Sequence, residues 1–214
     1  MIDLSVAVMA GGQSRRMGTD KAFVTLDGKP LVAHLLARLA PVARRETLLI
    51  TNRPADYAHL GLPMFADVLP GKGSLGGIYT ALHYSRSPYT LVLAVDMPFV
   101  QPALLQYMID LCGEGEAQGQ AYDVIAPRVA GYPQGLHAIY RKTCLPIIRQ
   151  RLEADRLRVI GFYDEVHVRT LDEPEYQALD PQGLSFFNVN TPEQLAEAQA
   201  MLARQRDADS AARE

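Results

Sequence analysis

The strongest constraint on the fold is a set of three short apolar runs, residues 4–10, 47–51 and 89–95, rich in Val, Ile and Leu. Strands that are apolar along their whole length are buried on both faces, which is the pattern of a parallel sheet. Helical segments stand between them. Residues 30–39 place Pro30 at a first helical position and repeat Leu31, His34, Leu35 and Leu39 at helical spacing, and residues 74–84 and 101–111 behave alike. Alternating strands and helices imply right-handed crossovers and a sheet covered on both sides. The expectation is an α/β, Rossmann-like fold with a mostly parallel central sheet flanked by helices on both faces.

The second half is less regular. Residues 122–127, 135–140 and 165–171 read as strands and 143–153 as a helix, without a topology. Residues 191–205 read as an amphipathic closing helix, with Thr191 as N-cap, Pro192 at the first position and Gln194 as capping-box partner. The glycine-containing stretch 113–121 is expected to be a surface loop, and 206–214 a frayed end.

Composition narrows the class. The chain has 214 residues, 48% of them apolar, enough for a substantial core, and 21 Lys and Arg against 24 Asp and Glu. A formal charge of −3 offers no general attraction to nucleic acid or to an anionic membrane, so any anion site has to be local. Cys112 and Cys144 stand far apart and outside any CxxC, and the five histidines lack metal-ligand spacing, so neither a disulfide framework nor a zinc site is expected. Charged or polar residues interrupt every apolar run well before membrane-spanning length, and residues 1–15 lack the pattern of a secretory leader. A soluble, unprocessed, cytoplasmic protein is expected.

The first apolar run breaks into AGGQSRRMGTDK, residues 10–21. Glycines between a strand and a helical segment let backbone N–H groups approach a phosphate, and Arg15, Arg16 and Lys21 add positive charge there. The spacing is neither GxGxxG nor GxxxxGK[ST], so the usual dinucleotide and P-loop fingerprints are absent. This string, followed by LDGKPLVAH, resembles the signature of the molybdopterin nucleotidyltransferase family, and most closely its molybdenum cofactor guanylyltransferases. Four further stretches resemble the family in order: TNRP (51–54), FADVLPGKGSLGGIYTAL (65–82), AVDMPFV (94–100) and FFNVNTPEQL (186–195). Met9 stands where Leu is more usual, Ser74 where Pro is frequent, and YPQGLHAIY matches only loosely.

The resemblance implies a Rossmann-like nucleotidyltransferase that joins GMP from GTP to molybdopterin, with Mg²⁺ as cofactor. It implies one domain over residues 1–206, with 1–112 mainly nucleotide-binding, 113–206 mainly acceptor-binding, and a flexible tail over 207–214. Arg16, Lys21 and Asp96 are the implied catalytic residues, with Asp96 as metal ligand. Met9, Ala10, Gly11, Gly12, Ser14, Asn52, Asp67 and Gly76 join those three in binding the nucleotide, while Asn188 and Asn190 serve the pterin side. Transient contacts with molybdenum-insertion proteins and with recipient molybdoenzymes or their chaperones are further expectations.

The residue types suit that chemistry. A terminal phosphate is already an anion near neutral pH, so attack on an α-phosphorus needs positioning and charge compensation rather than a general base. Asp67 and Asp96 each follow an apolar run, where the ends of parallel strands bind ligands. Asn52 has amide groups for a purine edge, and aspartate at 67 can accept from guanine N–H groups. Asn188 and Asn190, two apart on an extended segment, face the same way while Val189 faces the core. His137 is expected to be a hydrogen-bonded strand histidine. Cytidylyltransferases that resemble this chain carry Ala-Ala-Gly in place of Ala10-Gly11-Gly12, and a methyl at the second position would occupy space that a purine needs. The alternatives are a CTP or sugar-phosphate nucleotidyltransferase and, in a different class, a nucleotide-binding module without turnover.

Overall fold

The computed structural model describes residues 2–11 and 23–211, with side chains as far as Arg204. The first apolar run forms β1 (Leu4–Met9). A hairpin of β2 (Thr25–Leu26) and β3 (Lys29–Pro30) turns through Asp27 and Gly28, at φ 52° and 71°, the two left-handed conformations of a type I′ turn. It leads into α1 (Leu31–Leu39). Then come β4 (Glu46–Ile50), the short α2 (Pro54–Tyr57), β5 (Met64–Phe65), α3 (Gly73–Tyr84) and β6 (Tyr89–Ala94). The second half contains α4 (Pro102–Ala117), β7 (Val124–Val129), β8 (Tyr132–Pro133), β9 (His137–Arg141) and α5 (Leu145–Glu153). It ends with β10 (Val168–Leu171), α6 (Glu173–Tyr176) and α7 (Pro192–Ala211).

The main sheet has the order β10-β7-β9-β6-β1-β4-β5, with β8 paired to β7. Strand β1 runs parallel to both neighbours, Met9 lying opposite Ile50 on one side and Ala94 on the other. Every residue of β1 and β6 is buried. Alternation explains how: Val6, Val8, Leu91 and Leu93 pack against Leu35 of α1 and Leu104 of α4, while Ala7, Met9 and Val92 pack against Ile78 of α3 and Ile148 of α5. A third cluster of Leu26, Leu31, Phe99, Leu184, Val189 and Ala198 brings α7 and the segment before it over the hairpin.

The second half supplies the topology that periodicity left open. Strand β9 is inserted antiparallel between β6 and β7, and β10 returns parallel to β7, so the sheet is mixed but mostly parallel. The loop expected over 113–121 is corrected: α4 continues to Ala117. Glu116 accepts a hydrogen bond from Tyr89 (2.7 Å) and forms an ion pair with Arg141 (3.2 Å), and Gly115 lets the helix close onto Tyr122, whose ring would stand 3.0 Å from a Cβ there. Tertiary contacts thus outweigh two helix-weakening glycines. Pro30 ends β3, paired with Thr25, instead of opening α1. The capping at α7 is shifted: Gln194 N–H donates to Thr191 Oγ1, but its side chain accepts from the N–H of Asn190. Helix α7 also runs on to Ala211, past the point where the tail was expected to begin.

Candidate active site

A crevice of about 1050 Å³ opens at the C-terminal ends of β4, β1 and β6. The chain leaves β1 toward β4 and β5, then returns to β6 on the other side of β1, so loops diverge from neighbouring strand ends and leave a cleft between them. The floor is pinned by backbone hydrogen bonds. Ala10 N–H donates to Ile50 O (2.9 Å), Val95 N–H to Met9 O (3.2 Å), and the buried Tyr57 hydroxyl to Ala10 O (3.4 Å). Met9, Ala10 and Gly11 therefore present a fixed edge to the crevice. Gly12, Ser14, Arg15, Arg16 and Lys21 lie outside the described residues.

Asn52 and Asp67 form one unit on the next wall. Asn52 Nδ2 donates to Asp67 Oδ2 (2.8 Å), and Asp67 N–H donates to Asn52 Oδ1 (2.9 Å). This reciprocal pair spends the amide oxygen and one N–H of Asn52, and among the described residues Asp67 Oδ1 receives no hydrogen bond. Asn52 thus aims the Asp67 carboxylate. Gly77, not Gly76, reaches the crevice wall, because Gly76 faces Lys72 and the Leu69 carbonyl. The Met9 methyl fills the space beside Gly77, 2.2 Å from where a Cβ would stand.

Asp96 follows β6 in a turn closed by Met97 N–H donating to Ala94 O (3.3 Å). Val189 N–H donates to Asp96 O (2.9 Å) and its side chain is fully buried. That one bond carries Asn188 and Asn190 to the crevice wall beside Asp96, from more than 90 residues away in sequence. Asn188 Nδ2 donates to Phe186 O (3.1 Å), which turns its amide oxygen away from that carbonyl. Among the described residues no three His, Cys, Asp or Glu side chains gather into a metal cage. One carboxylate with neighbouring amides suits Mg²⁺, which takes one or two carboxylates and completes its shell with phosphate oxygens and water.

The profile of the MobA-like NTP transferase domain matches residues 6–166. The chain belongs to this family. A probable molybdenum cofactor guanylyltransferase of Pelotomaculum thermopropionicum is 35% identical over 201 residues, covering 94% of each chain. The molybdenum cofactor guanylyltransferase of Desulfosudis oleivorans is 31% identical over 196 residues, covering 91% of this chain and 94% of its own. The crystal structure of molybdopterin-guanine dinucleotide biosynthesis protein A from Archaeoglobus fulgidus matches with a TM-score of 0.78 at 28% identity, covering 94% of this chain and 99% of that one. The MobA-like chain is thus a nucleotidyltransferase of Rossmann-like α/β fold.

This MobA-like crevice is also lined by residues that the sequence did not single out. Gln134, Gly135 and Leu136 come from the β8–β9 connection, and Arg158, Val159 and Ile160 from the segment after α5. Arg158 is exposed and makes no ion pair among the described residues. No spacing rule marks an arginine in RLRV. His137 departs from expectation in one respect. It lies in β9, but neither ring nitrogen has a hydrogen-bond partner among the described residues, because Phe186 packs over the ring at 5.1 Å. Burial pushes its pKa down to about 4.

Proposed function

We propose that this chain transfers GMP from GTP to the terminal phosphate of molybdopterin. A phosphate oxygen of the acceptor attacks the α-phosphorus of GTP, a new P–O bond forms, the bond between the α-phosphorus and the bridging oxygen breaks, and pyrophosphate leaves. The product is a molybdopterin guanine dinucleotide. The guanylyltransferase names of relatives that cover nearly the whole chain support the reading. The observation that carries it is the Val189–Asp96 hydrogen bond, which brings Asp96, Asn188 and Asn190 together in the crevice.

The parts follow from charge and space. Asp67, aimed by Asn52, accepts from the guanine N–H edge. Gly11 leaves room for the purine. Among the described residues a methyl at this position would meet only Ile50 O, at an ordinary 3.9 Å, so their packing does not require glycine there and the space is open to a ligand. Arg16 and Lys21, by the family motif, compensate the triphosphate and the leaving pyrophosphate. Arg158 stands free to meet the anionic acceptor, with Asn188 and Asn190 orienting it. Mg²⁺ held by Asp96 would neutralise phosphate charge. No side chain has to remove a proton, since the nucleophile is an anion. No helix of the described residues is long and apolar enough to cross a membrane; a cytoplasmic site of action and brief contacts with insertion proteins and recipient enzymes belong to the same reading.

The test is pyrophosphate release by the purified protein with Mg²⁺, comparing GTP, CTP, ATP and UTP with and without molybdenum-loaded molybdopterin. Release with GTP that depends on the pterin is the expected result. Release with CTP alone would keep the chemistry and overturn the argument from Gly11, and release with none would overturn the reading. Asp96→Ala should lower the rate by on the order of a hundredfold or more.

A further inference from the structure

Two charges at the rim of the crevice sit at helix ends that repel them. Lys72 is the N-cap of α3, where the helix dipole disfavours a cation, and Asp155 lies just past the C-terminus of α5, where it disfavours an anion. Asp155 also occupies a glycine position. Arg156 N–H donates to Arg151 O (2.9 Å) and Asp155 N–H to Leu152 O (3.2 Å), the two bonds of a Schellman motif, and Asp155 has φ 55°. Local structure therefore gives neither residue a reason to be charged. Their mutual contact does: Lys72 Nζ lies 3.1 Å from Asp155 Oδ1, joining segments 83 residues apart. The direction of Lys72 is set by left-handed glycines on either side, Gly71 at φ 78° and Gly73 at φ 59°.

The pair joins two segments that line the crevice, one entering α3 and one leaving α5. Gly71, Gly73 and Ser74 line it from the first, and Arg158, Val159 and Ile160 from the second. Beyond Arg158 the same segment is tied back through Arg151, which pairs with Glu165 at 2.6 Å. Arg158 therefore sits on a short stretch held at both ends. We propose that Lys72 and Asp155 form a clasp across the mouth of the crevice, a positioning pair that fixes the Arg158 segment relative to the nucleotide loop so that the anionic acceptor is met in the attacking position.

This inference rests on the transfer reaction proposed above, and its test has a readout independent of turnover. Amide hydrogen exchange is compared in the parent, Lys72→Ala, Asp155→Gly and the double variant. Faster exchange over 156–160 in Lys72→Ala, and over 71–74 in Asp155→Gly, is expected, because each substitution releases the partner segment. Exchange altered only around the substituted residue overturns the clasp, whether or not the protein transfers GMP. In the transfer assay, either single variant should raise the KM for the pterin by roughly two- to fivefold, the range an exposed ion pair supports, with the KM for GTP unchanged and the double variant no worse than the singles. A rise in the KM for GTP with Lys72→Ala alone would make Lys72 a nucleotide contact and overturn the proposal. Asp155→Gly should melt no lower than the parent, since glycine is relaxed at that φ, which separates lost positioning from lost folding.

Discussion

Replacing His137 with leucine removes one titrating group and should flatten the acid limb of the stability profile. The ring is fully buried, lacks a hydrogen-bond partner among the described residues, and has its pKa pushed down from 6.5 to about 4. Above pH 6.5 it is neutral in both folded and unfolded chains and contributes no pH dependence. Between 6.5 and 4 the unfolded chain takes up a proton that the folded chain refuses, so stability falls by about 1.4 kcal/mol per pH unit, or about 3 kcal/mol in all. The paired carboxylates Asp172 and Glu175, whose pKa values are lowered by Arg128 and Arg169, lose stabilisation as pH falls below their unfolded values, and they do so in both proteins. The difference between parent and variant therefore isolates the histidine. Urea unfolding followed by far-UV circular dichroism suits a chain without tryptophan. The variant should at least match the parent at pH 7.5, because leucine removes two unpaired buried nitrogens, and exceed it by about 3 kcal/mol more at pH 4 than at pH 7.5. Parallel curves would refute the burial argument. The consequence reaches the site, because Phe186, which covers the ring, supplies the carbonyl that orients Asn188.

Three other substitutions probe separate links. Gly11→Ala should fold with unchanged melting temperature yet bind GTP at least about tenfold more weakly, with CTP less affected; equal loss for both bases would show that the methyl does not read base size. Asn52→Ala frees the Asp67 carboxylate and its backbone N–H, so the KM for GTP should rise about tenfold, the worth of one hydrogen bond to a charged group, and an unchanged KM would show that Asp67 needs no guide. Gly115→Val in α4 drives a side chain into Tyr122 and the Gln120 carbonyl and should cost about 2 kcal/mol without altering either KM; a melting temperature equal to the parent's would contradict the close approach.

Local sequence determines much of this protein. The doubly buried runs at β1, β4 and β6 specify parallel strands because every position must face one apolar layer or the other, and helical spacing marks α1 and α3 between them. The stretches that carry Met9 to Gly11, Asn52 and Asp96 were legible because each lies at the end of such a strand, whereas Asp67 follows the two-residue, half-buried β5; strand ends meet on one edge once the sheet is parallel. Periodicity carries no information about partners distant in the chain, so other features were decided only by tertiary structure. Strand β9 enters antiparallel, α4 continues through Gly113 and Gly115 because Tyr89 and Arg141 hold Glu116, and Arg158 reaches the crevice from an unremarkable stretch. The alternation of Asn188, Val189 and Asn190 showed which of them face together. What they face was settled by the Val189 side chain entering the third core cluster and its N–H meeting the Asp96 carbonyl, a contact that only packing can specify.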